Sequence, residues 1–377
     1  MRIRLAQSDF LRMLQTVIDA VPSRPTLPVL SMIMLRAEEG GCTLSATDLE
    51  LSIRTSHPCE PLEEGAATFP GRKVHDIVRE LAAGELTIGE RDGRFTLTSA
   101  TGEYSLLSMP VEEFPTIPTQ IDGTTFAIDG ELLKRMTAKV AFAAHPDQTH
   151  PTLSGVNWRV SPSATTMVAT DTHRLAKITE RVSAAQGQNI DVIVSPRILQ
   201  SAVKLLNAGG TTAQDNPLER VTVGERQIRF AFARADMVAR LTEGTYADVD
   251  AVIPRDNDRH LIVASDVFVP AVRRVQVLSS QQNHQIRLAL RSNEVELTAM
   301  NRDTGAEARE LVEAEYNGEP MEVGYNATYL HDVLRTIAAQ RVRFKFREPT
   351  SAAIVEPAEQ SEGEEYFCLV MPLRLMD

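Results

Sequence analysis

The segment RKVHDIVREL, residues 72–81, places apolar residues at i, i+3, i+4 and i+7, the spacing of one face of an α-helix. The same spacing returns in RILQSAVKLL, residues 197–206, and in ATYLHDVLRTI, residues 327–337. The copies are 125 and 131 residues apart, counted from Val74 to Leu199 and on to Leu330. These intervals are too long for a solenoid repeat and suit a small domain. The sequence therefore predicts three similar domains.

A second predicted helix precedes each copy. Ser8 and Asp9, then Asp129, then Ser265 and Asp266 stand at the starts of these helices, where Ser and Asp are favourable N-caps. Alternating apolar residues follow each later helix, at Phe95 and Leu97, at Ile228, Phe230 and Phe232, and at Val342, Phe344 and Phe346. Such alternation predicts half-buried antiparallel strands. We therefore expect an α+β fold in which each domain packs two helices on antiparallel sheet.

Two stretches rich in turn-forming or polar residues predict the domain boundaries. Pro115, Pro118 and Gly123 mark the first, and the run from Pro254 to His260 marks the second. The predicted domains are residues 1–120, 121–254 and 255–377. The acidic segment 356–365 lies between two strand patterns and is interpreted as a solvated hairpin tip.

The composition is that of a globular protein, with 43% hydrophobic and 24% charged residues. The three cysteines, Cys42, Cys59 and Cys368, form no C-x-x-C pair, which favours a reducing compartment over a disulfide framework or a zinc site. Charged residues interrupt the first 20 positions, and no stretch approaches 18 uncharged apolar residues. We expect a cytoplasmic protein.

The charge is unevenly distributed along the chain. The formal net charge is −12, yet the six predicted helical segments together carry +5, so that the remainder carries −17. One interpretation is that helices simply place Lys and Arg on their solvated faces. The other is a basic layer of helices on an acidic body, which would bring positive charge to a nucleic acid.

Several separated motifs resemble one family. They are Arg24-Pro25-Thr26-Leu27-Pro28-Val29-Leu30, Ala46-Thr47-Asp48-Leu49-Glu50, Pro70-Gly71-Arg72-Lys73, Ala169-Thr170-Asp171-Thr172-His173-Arg174-Leu175-Ala176, Ser195-Pro196-Arg197 and Val370-Met371-Pro372-Leu373-Arg374-Leu375. From end to end, in order and phase, the chain resembles the beta subunits of bacterial DNA polymerase III, the sliding clamps.

The resemblance implies a head-to-tail dimer that closes a ring of six domains, with helices lining the hole and sheets outside. Duplex DNA would thread the hole without sequence preference. Partners would be the replicative polymerase, a clamp loader and other clients that carry short hydrophobic motifs. About twelve helices, each about 10 Å wide, give a bore of nearly 30 Å, in which a duplex fits loosely. No enzymatic activity and no cofactor are implied.

The resemblance also implies three sets of site residues. Basic positions expected to contact DNA are Arg24, Arg72, Lys73, Arg197 and Lys204. Positions that match the client-peptide groove are Leu153, Thr170, His173, Arg174, Leu175, Val252, Leu369, Val370, Met371, Pro372, Leu373 and Arg374, with the two arginines as fixed donors. Positions that match the dimer interface are Tyr104 and Leu106 on one side, Val277 and Leu278 on the other.

The chain departs from the family at three positions. Ala247 and Ala251 stand where a proline and an arginine are usual beside the groove, which predicts altered preference at one end of the client peptide. Thr172 replaces a frequent glycine.

Competing chemistries have weak support in the sequence. Asp171 and His173 resemble a catalytic pair, but as residues of a strand they are not expected to meet over a substrate pocket. His145, Asp147 and His150 suggest a metal site that lacks a further ligand, and no phosphate-binding loop occurs. The remaining alternative is a ring-shaped interaction scaffold that is not loaded on DNA.

Overall fold

Helices form where the apolar spacing predicts them. The computed structural model describes residues 1–181, 189–207 and 216–375. Its α-helices within these ranges are Gln7–Val17 (α1), Gly71–Glu80 (α2), Gly130–Val140 (α3), Pro196–Leu206 (α4), Ser265–Val277 (α5) and Ala327–Ile337 (α6). The repeated pattern is buried as expected, for example at Val74 and Val78 of α2. The six predicted helices are therefore confirmed.

The strands are short and every pairing between them is antiparallel. In chain order they are Arg2–Ala6 (β1), Met32–Glu38 (β2), Gly41–Thr47 (β3), Leu51–His57 (β4), Gly65–Pro70 (β5), Glu85–Arg91 (β6), Arg94–Thr98 (β7), Glu103–Leu107 (β8), Thr124–Phe126 (β9), Val156–Val160 (β10), Thr165–Thr170 (β11), Arg174–Glu180 (β12), Ile190–Val194 (β13), Leu218–Val223 (β14), Gln227–Phe232 (β15), Ala235–Arg240 (β16), Arg259–Ala264 (β17), Gln285–Arg291 (β18), Glu294–Asn301 (β19), Ala306–Tyr316 (β20), Met321–Asn326 (β21), Arg341–Phe346 (β22), Ala353–Pro357 (β23) and Glu364–Val370 (β24).

The chain divides into two units. The first unit is Met1–Lys134 with Arg197–Leu241, and the second unit is Arg135–Pro196 with Thr242–Asp377. The first unit holds a four-stranded sheet, β1-β6-β7-β8, and an eight-stranded sheet, β5-β2-β3-β4-β16-β15-β14-β9. The second unit holds a sheet of twelve strands, β13-β10-β11-β12-β24-β23-β22-β17-β20-β19-β18-β21.

The sheets are continuous across the predicted domain boundaries. Strand β4 pairs with β16 in the first unit, and β12 pairs with β24 in the second. The strands of the predicted middle domain are thus shared between two sheets rather than gathered in one. The helix-based repeat therefore did not reveal how the strands are divided between sheets.

Two of the predicted N-caps are wrong. Helices α1 and α5 begin directly after a strand, with Ala6 and Ala264 as caps that carry no capping side chain. Asp129 does cap α3, since its carboxylate accepts from the N–H of Leu132 at 2.9 Å. Asn326 is a further N-cap that was not predicted, and its side-chain oxygen accepts two backbone N–H groups at the start of α6.

The acidic segment 356–365 is only partly a solvated tip. It spans the turn between β23 and β24, as expected. Two of its acids, however, are buried and paired: Glu356 with Arg343 and Lys345 at 3.2 and 2.8 Å, and Glu364 with Lys139 at 2.5 Å. These carboxylates therefore belong to the body of the second unit. Among the described residues, no helix is long and apolar enough to cross a lipid bilayer.

Candidate functional sites

Two cations of helix α4 attach to the turn that follows α1. Arg197 donates to the C=O of Asp19 at 3.1 Å and pairs with the Asp48 carboxylate at 2.6 Å. Lys204, two helical turns further on, binds the Asp19 carboxylate at 2.8 Å. The side chains of Arg197 and Lys204 nevertheless stay 52% and 67% exposed. Such exposed ion pairs are weak, so both cations can exchange an internal carboxylate for a solvent-borne anion.

One of the other predicted DNA contacts, Arg72, reaches the same turn. Arg72, in the first turn of α2, donates to the C=O of Val21 at 2.6 Å. Lys73 and Arg24 are exposed, the latter three residues beyond Val21. We call Arg24, Arg72, Lys73, Arg197 and Lys204 the cation cluster. Long basic side chains of this kind contact phosphates without reading bases.

A tight turn joins β11 to β12 in the second unit. The Asp171 carboxylate accepts from the backbone N–H groups of His173 and Arg174 at 3.0 and 2.9 Å. Thr172 has a φ of 75°, in the left-handed region that favours glycine. The expectation that Asp171 and His173 are residues of a strand is therefore wrong, because both lie in the turn that the aspartate closes.

Arg174 ties this turn to its surroundings. Its Nε donates to Asp171 at 3.0 Å, one terminal nitrogen to Asp332 at 2.7 Å, and the other to the C=O of Phe142 at 3.0 Å. The guanidinium also lies 4.6 Å from the ring centre of Tyr329. With a side chain only 11% exposed, Arg174 positions other groups. Its role as a donor to a client peptide stays a prediction.

An apolar cluster lies beside the turn. Its buried members are Val168, Leu175, Ile193, Tyr246, Val249, Ile354, Phe367 and Leu369, with Ile253 packed against them. Two of these residues, Leu175 and Leu369, are among the predicted groove positions. A usable signal was the continuous apolar run at 167–169, since a strand that is apolar at consecutive positions buries both of its faces. The predicted residue Val370 follows Leu369 in β24 and points to the opposite face of the strand, so it does not belong to this cluster.

The remaining predicted groove residues lie outside this cluster, and several of them contact one another or neighbouring strands. The N–H of Met371 donates to the C=O of His173 at 2.9 Å, and the N–H of Leu373 donates to the C=O of Gly324 at 2.8 Å. The His173 ring stacks on Tyr329 with centroids 5.9 Å apart. Exposed members are Val252, Met371 and Arg374, and half-buried ones are Leu153, Thr170, Pro372 and Leu373.

Residues 246–250 contribute Tyr246 and Val249 to the cluster; we call this segment the second strap because it lies in the second unit. The Tyr246 hydroxyl accepts from the N–H of Thr170 at 3.2 Å, and burial raises the pKa of Tyr246 to about 12. Asp250 pairs with Lys177 at 2.5 Å and with Arg159 at 3.1 Å. These two cations hold the pKa of Asp250 below its ordinary range.

The predicted dimer residues lie at exposed edges. Tyr104 and Leu106 are half-buried on β8, the edge strand of the four-stranded sheet. Val277 and Leu278 end helix α5 of the second unit, and the side chain of Val277 is 79% exposed. Strand β20 also has an open edge. Among the described residues, it pairs with β19 along residues 306–313 but with β17 only at 314–316, so one side of residues 306–313 has no partner strand.

Family comparisons cover nearly the whole chain. Residues 1–118, 127–248 and 250–374 match the N-terminal, central and C-terminal domains of the DNA polymerase III beta subunit. The chain belongs to this family of sliding clamps. It therefore has the three-domain clamp fold, and the resemblance read from the motifs is confirmed.

Curated relatives and solved structures agree with this assignment. The beta sliding clamps of Caulobacter vibrioides and Escherichia coli are 31% and 30% identical to this chain, each over the full length of both proteins. Crystal structures of the clamps from Pseudomonas aeruginosa and Bartonella birtlesii, both bound to griselimycin, superpose with TM-scores of 0.92 and 0.91 at 29% and 28% identity, with full coverage of both chains.

Sliding clamps are non-catalytic processivity factors, and this chain is accordingly not an enzyme. His145 and His150 do stack edge to face, with ring centroids 4.7 Å apart. Nδ1 of His145, however, accepts from the backbone N–H of Asp147 at 3.1 Å, and so shapes the loop. Across the described ranges, no group of three or more His, Cys, Asp or Glu side chains is arranged to hold a metal ion.

Proposed function

We propose that two copies of this chain close a ring around duplex DNA and that the cation cluster faces the phosphates. The chain is a processivity clamp of DNA polymerase III by family, and the observation that carries its DNA contact is the exposed cation cluster of the first unit. Enclosure needs no tight contact, and weak phosphate contacts let the ring slide. The division at 1–120, 121–254 and 255–377 is part of this proposal, supported by the three matched ranges.

The apolar cluster beside the second strap is the proposed client groove. Its buried side chains offer apolar area to the hydrophobic motif of a polymerase or another client. Met371 and Val252, both exposed, would add to the rim. Arg174 and Asp171 set the turn that bounds the groove, whereas Arg374 is the exposed guanidinium that a client carboxylate can reach.

We place the protein in the cytoplasm, where replication proceeds. Its three cysteines carry free thiols, which suits a reducing compartment.

Retention on circular DNA tests the clamp proposal. The protein is loaded on a nicked circle with clamp loader and ATP, passed over a sizing column, and the circle is then cut at one site. A clamp stays with the circle and leaves the linear product, because only enclosure holds it. A scaffold that is not loaded on DNA elutes free from both, and a tight phosphate binder stays on both; either result contradicts the proposal.

Titration of client peptides tests the groove. The usual hydrophobic motif should bind the parent protein and bind Ala251→Arg more tightly, because a fixed cation would return to the rim beside Val252. Leu369→Asp should abolish binding, since it places a charge in the apolar cluster. Equal affinities for all three proteins would show that the peptide binds elsewhere.

A further inference from the structure

The two units contain two copies of one local construction. In each, an aspartate carboxylate closes the turn between two strands by accepting two backbone N–H groups: Asp48 at 3.0 and 2.7 Å, and Asp171 at 3.0 and 2.9 Å. The next residue is left-handed in both turns, Leu49 with a φ of 76° and Thr172 with a φ of 75°. Positions around the two turns can therefore be compared one by one.

Two cations occupy matching places in the copies. Arg36 and Arg159 each lie 12 residues before the aspartate of their turn, and Arg54 and Lys177 each lie 6 residues after it. The strand pairings agree with this correspondence, since β2-β3-β4 in the first unit repeats the antiparallel order β10-β11-β12 in the second. Each unit thus carries a pair of cations on equivalent strands.

In the second unit these cations are neutralised from within. Asp250 of the second strap binds Lys177 at 2.5 Å and Arg159 at 3.1 Å. A second acid, Asp191 on β13, lies 3.7 Å from Arg159. The cation pair of the second unit therefore has carboxylates supplied by its own chain.

The first unit lacks both of these carboxylates. Residues 114–118 form the equivalent segment, the first strap: Phe114 is buried like Tyr246, and Ile117 packs three residues later as Val249 does. Pro118 follows Ile117 in the first strap and therefore occupies the position that Asp250 occupies in the second strap. The strand position opposite Arg36, where Asp191 faces Arg159, is Ala66.

The cations of the first unit have little internal compensation. Arg36 lies 3.6 Å from Glu38, and the two side chains are 48% and 68% exposed. Arg54 is half-buried, and its guanidinium makes no hydrogen bond or ion pair with any described residue. Asp236 lies opposite Arg54 on β16, but its carboxylate is bound by Arg229.

These side chains border an open groove of about 670 Å³ under the first strap. Polar lining comes from Arg36, Arg54, Thr43 and Ser45, and apolar lining includes Met34 and Ile117. Glu112 is the one acid among the described lining residues. Two guanidinium groups beside hydroxyls and an apolar wall suit a carboxylate attached to an apolar chain.

We propose that this groove binds an acidic peptide segment of a partner protein, with one aspartate or glutamate carboxylate seated between Arg36 and Arg54 in the place that Asp250 takes in the second unit. The apolar wall accepts a neighbouring side chain of the same peptide. This site is separate from the client groove, and it stands whether or not that groove binds hydrophobic motifs.

Fluorescence anisotropy of a rhodamine-labelled peptide Ala-Leu-Asp-Phe-Ala, capped at both ends, tests the site. The full-length protein should bind it at least about tenfold more tightly than the matched Asn peptide, the discrimination expected of a charge-assisted contact. Arg54→Gln should remove that discrimination, whereas Arg4→Gln, the loss of an equally charged but exposed residue, should preserve it. Pro118→Asp should also lower affinity, because it returns an internal carboxylate to the cation pair.

Several outcomes overturn the proposal. Equal binding of the Asp and Asn peptides, or unchanged discrimination in Arg54→Gln, excludes the cation pair as the site. Loss of binding in Leu369→Asp alone places the peptide in the client groove. Displacement by free succinate as effective as by unlabelled peptide would make the occupant a small carboxylic acid and not a peptide. Circular dichroism melts of each variant keep a folding defect from being mistaken for a binding defect.

Discussion

At the scale of single residues, the side chain of Arg174 holds three parts of the second unit together. It joins the turn at Asp171 to helix α6 at Asp332 and to the C=O of Phe142. Its loss would leave the Asp171 carboxylate, which is almost fully buried, without its cation. Removing one member of a buried pair is far more costly than exchanging both.

We therefore expect Arg174→Met to lower the free energy of unfolding by about 3 kcal/mol or more. The exposed Arg335→Met on α6 is the matched control and should change it by no more than about 0.5 kcal/mol. Urea unfolding followed by circular dichroism measures both. Similar losses for the two variants would contradict the positioning role of Arg174.

Thr172 offers a second test at this scale. Its φ of 75° costs a threonine about 1–2 kcal/mol. Glycine removes this cost but loses about 0.5–1 kcal/mol through the freedom of the unfolded chain. Thr172→Gly should therefore preserve or slightly raise the urea midpoint, whereas Thr179→Gly, within β12, should lower it. Equal losses at both positions would show that the turn is not strained.

At the scale of elements, the sequence predicts the helices more completely than the sheet pairings. The helices could be predicted because their apolar spacing is local and repeats three times in the sequence. The pairings β4 with β16 and β12 with β24 could not, since they join residues far apart in the chain and leave no periodic signal. In the same way, Leu175 could be named from its motif, but Ile193 and Ile354 enter the apolar cluster only through sheet pairing.

The second strap should loosen in acid. Lys177 and Arg159 lower the pKa of Asp250 below the ordinary value of about 3.9. Its stabilising contribution is therefore fully present above that value and is lost as the pH falls through the lower folded-state pKa. The protection factor of the Thr170 amide, which donates to Tyr246, should fall below about pH 4 in the parent, whereas that of a reference amide far from Asp250 should not change.

Asp250→Asn provides the control for this pH dependence. Its Thr170 amide should be less protected at neutral pH and should lose no further protection in acid. The same acid response in both proteins would assign the effect to another group.

The edge strand β8 and the end of α5 should mediate dimerisation. Leu106→Asp and Leu278→Asp should each give folded monomers at low micromolar concentration, because a carboxylate would be buried in an apolar contact. Sedimentation measures the mass, and Leu62→Asp, an exposed leucine outside these elements, is the control. Intact dimers of both interface variants would overturn the assignment.

At the scale of the whole molecule, a net charge of −12 coexists with a basic cluster of five side chains. The acidic surplus discourages DNA from adhering to surfaces other than the cluster. The double variant Arg24→Gln/Arg197→Gln should lower loading efficiency and reduce the slope of log affinity against log salt by up to about 2, because each arginine neutralises about one phosphate. Dimerisation and peptide binding should not change.

A double variant of equal charge, Arg4→Gln/Arg91→Gln, separates local contacts from net charge. Both of its arginines are exposed outside the cluster. Loading and salt dependence should match the parent protein. If both double variants behave alike, the cluster does not face DNA.

The shared sheets also bear on how the protein is made. Strand β4 is synthesised early, but its neighbour β16 comes much later: the hydroxyl of Thr55 donates to the C=O of Arg234, 179 residues further along. Until that strand has left the ribosome, the edge of β4 lies open in the nascent chain, where an unpaired edge invites association with other chains. Translation pauses or early truncation before residue 240 should therefore leave an aggregation-prone polypeptide rather than a finished first domain.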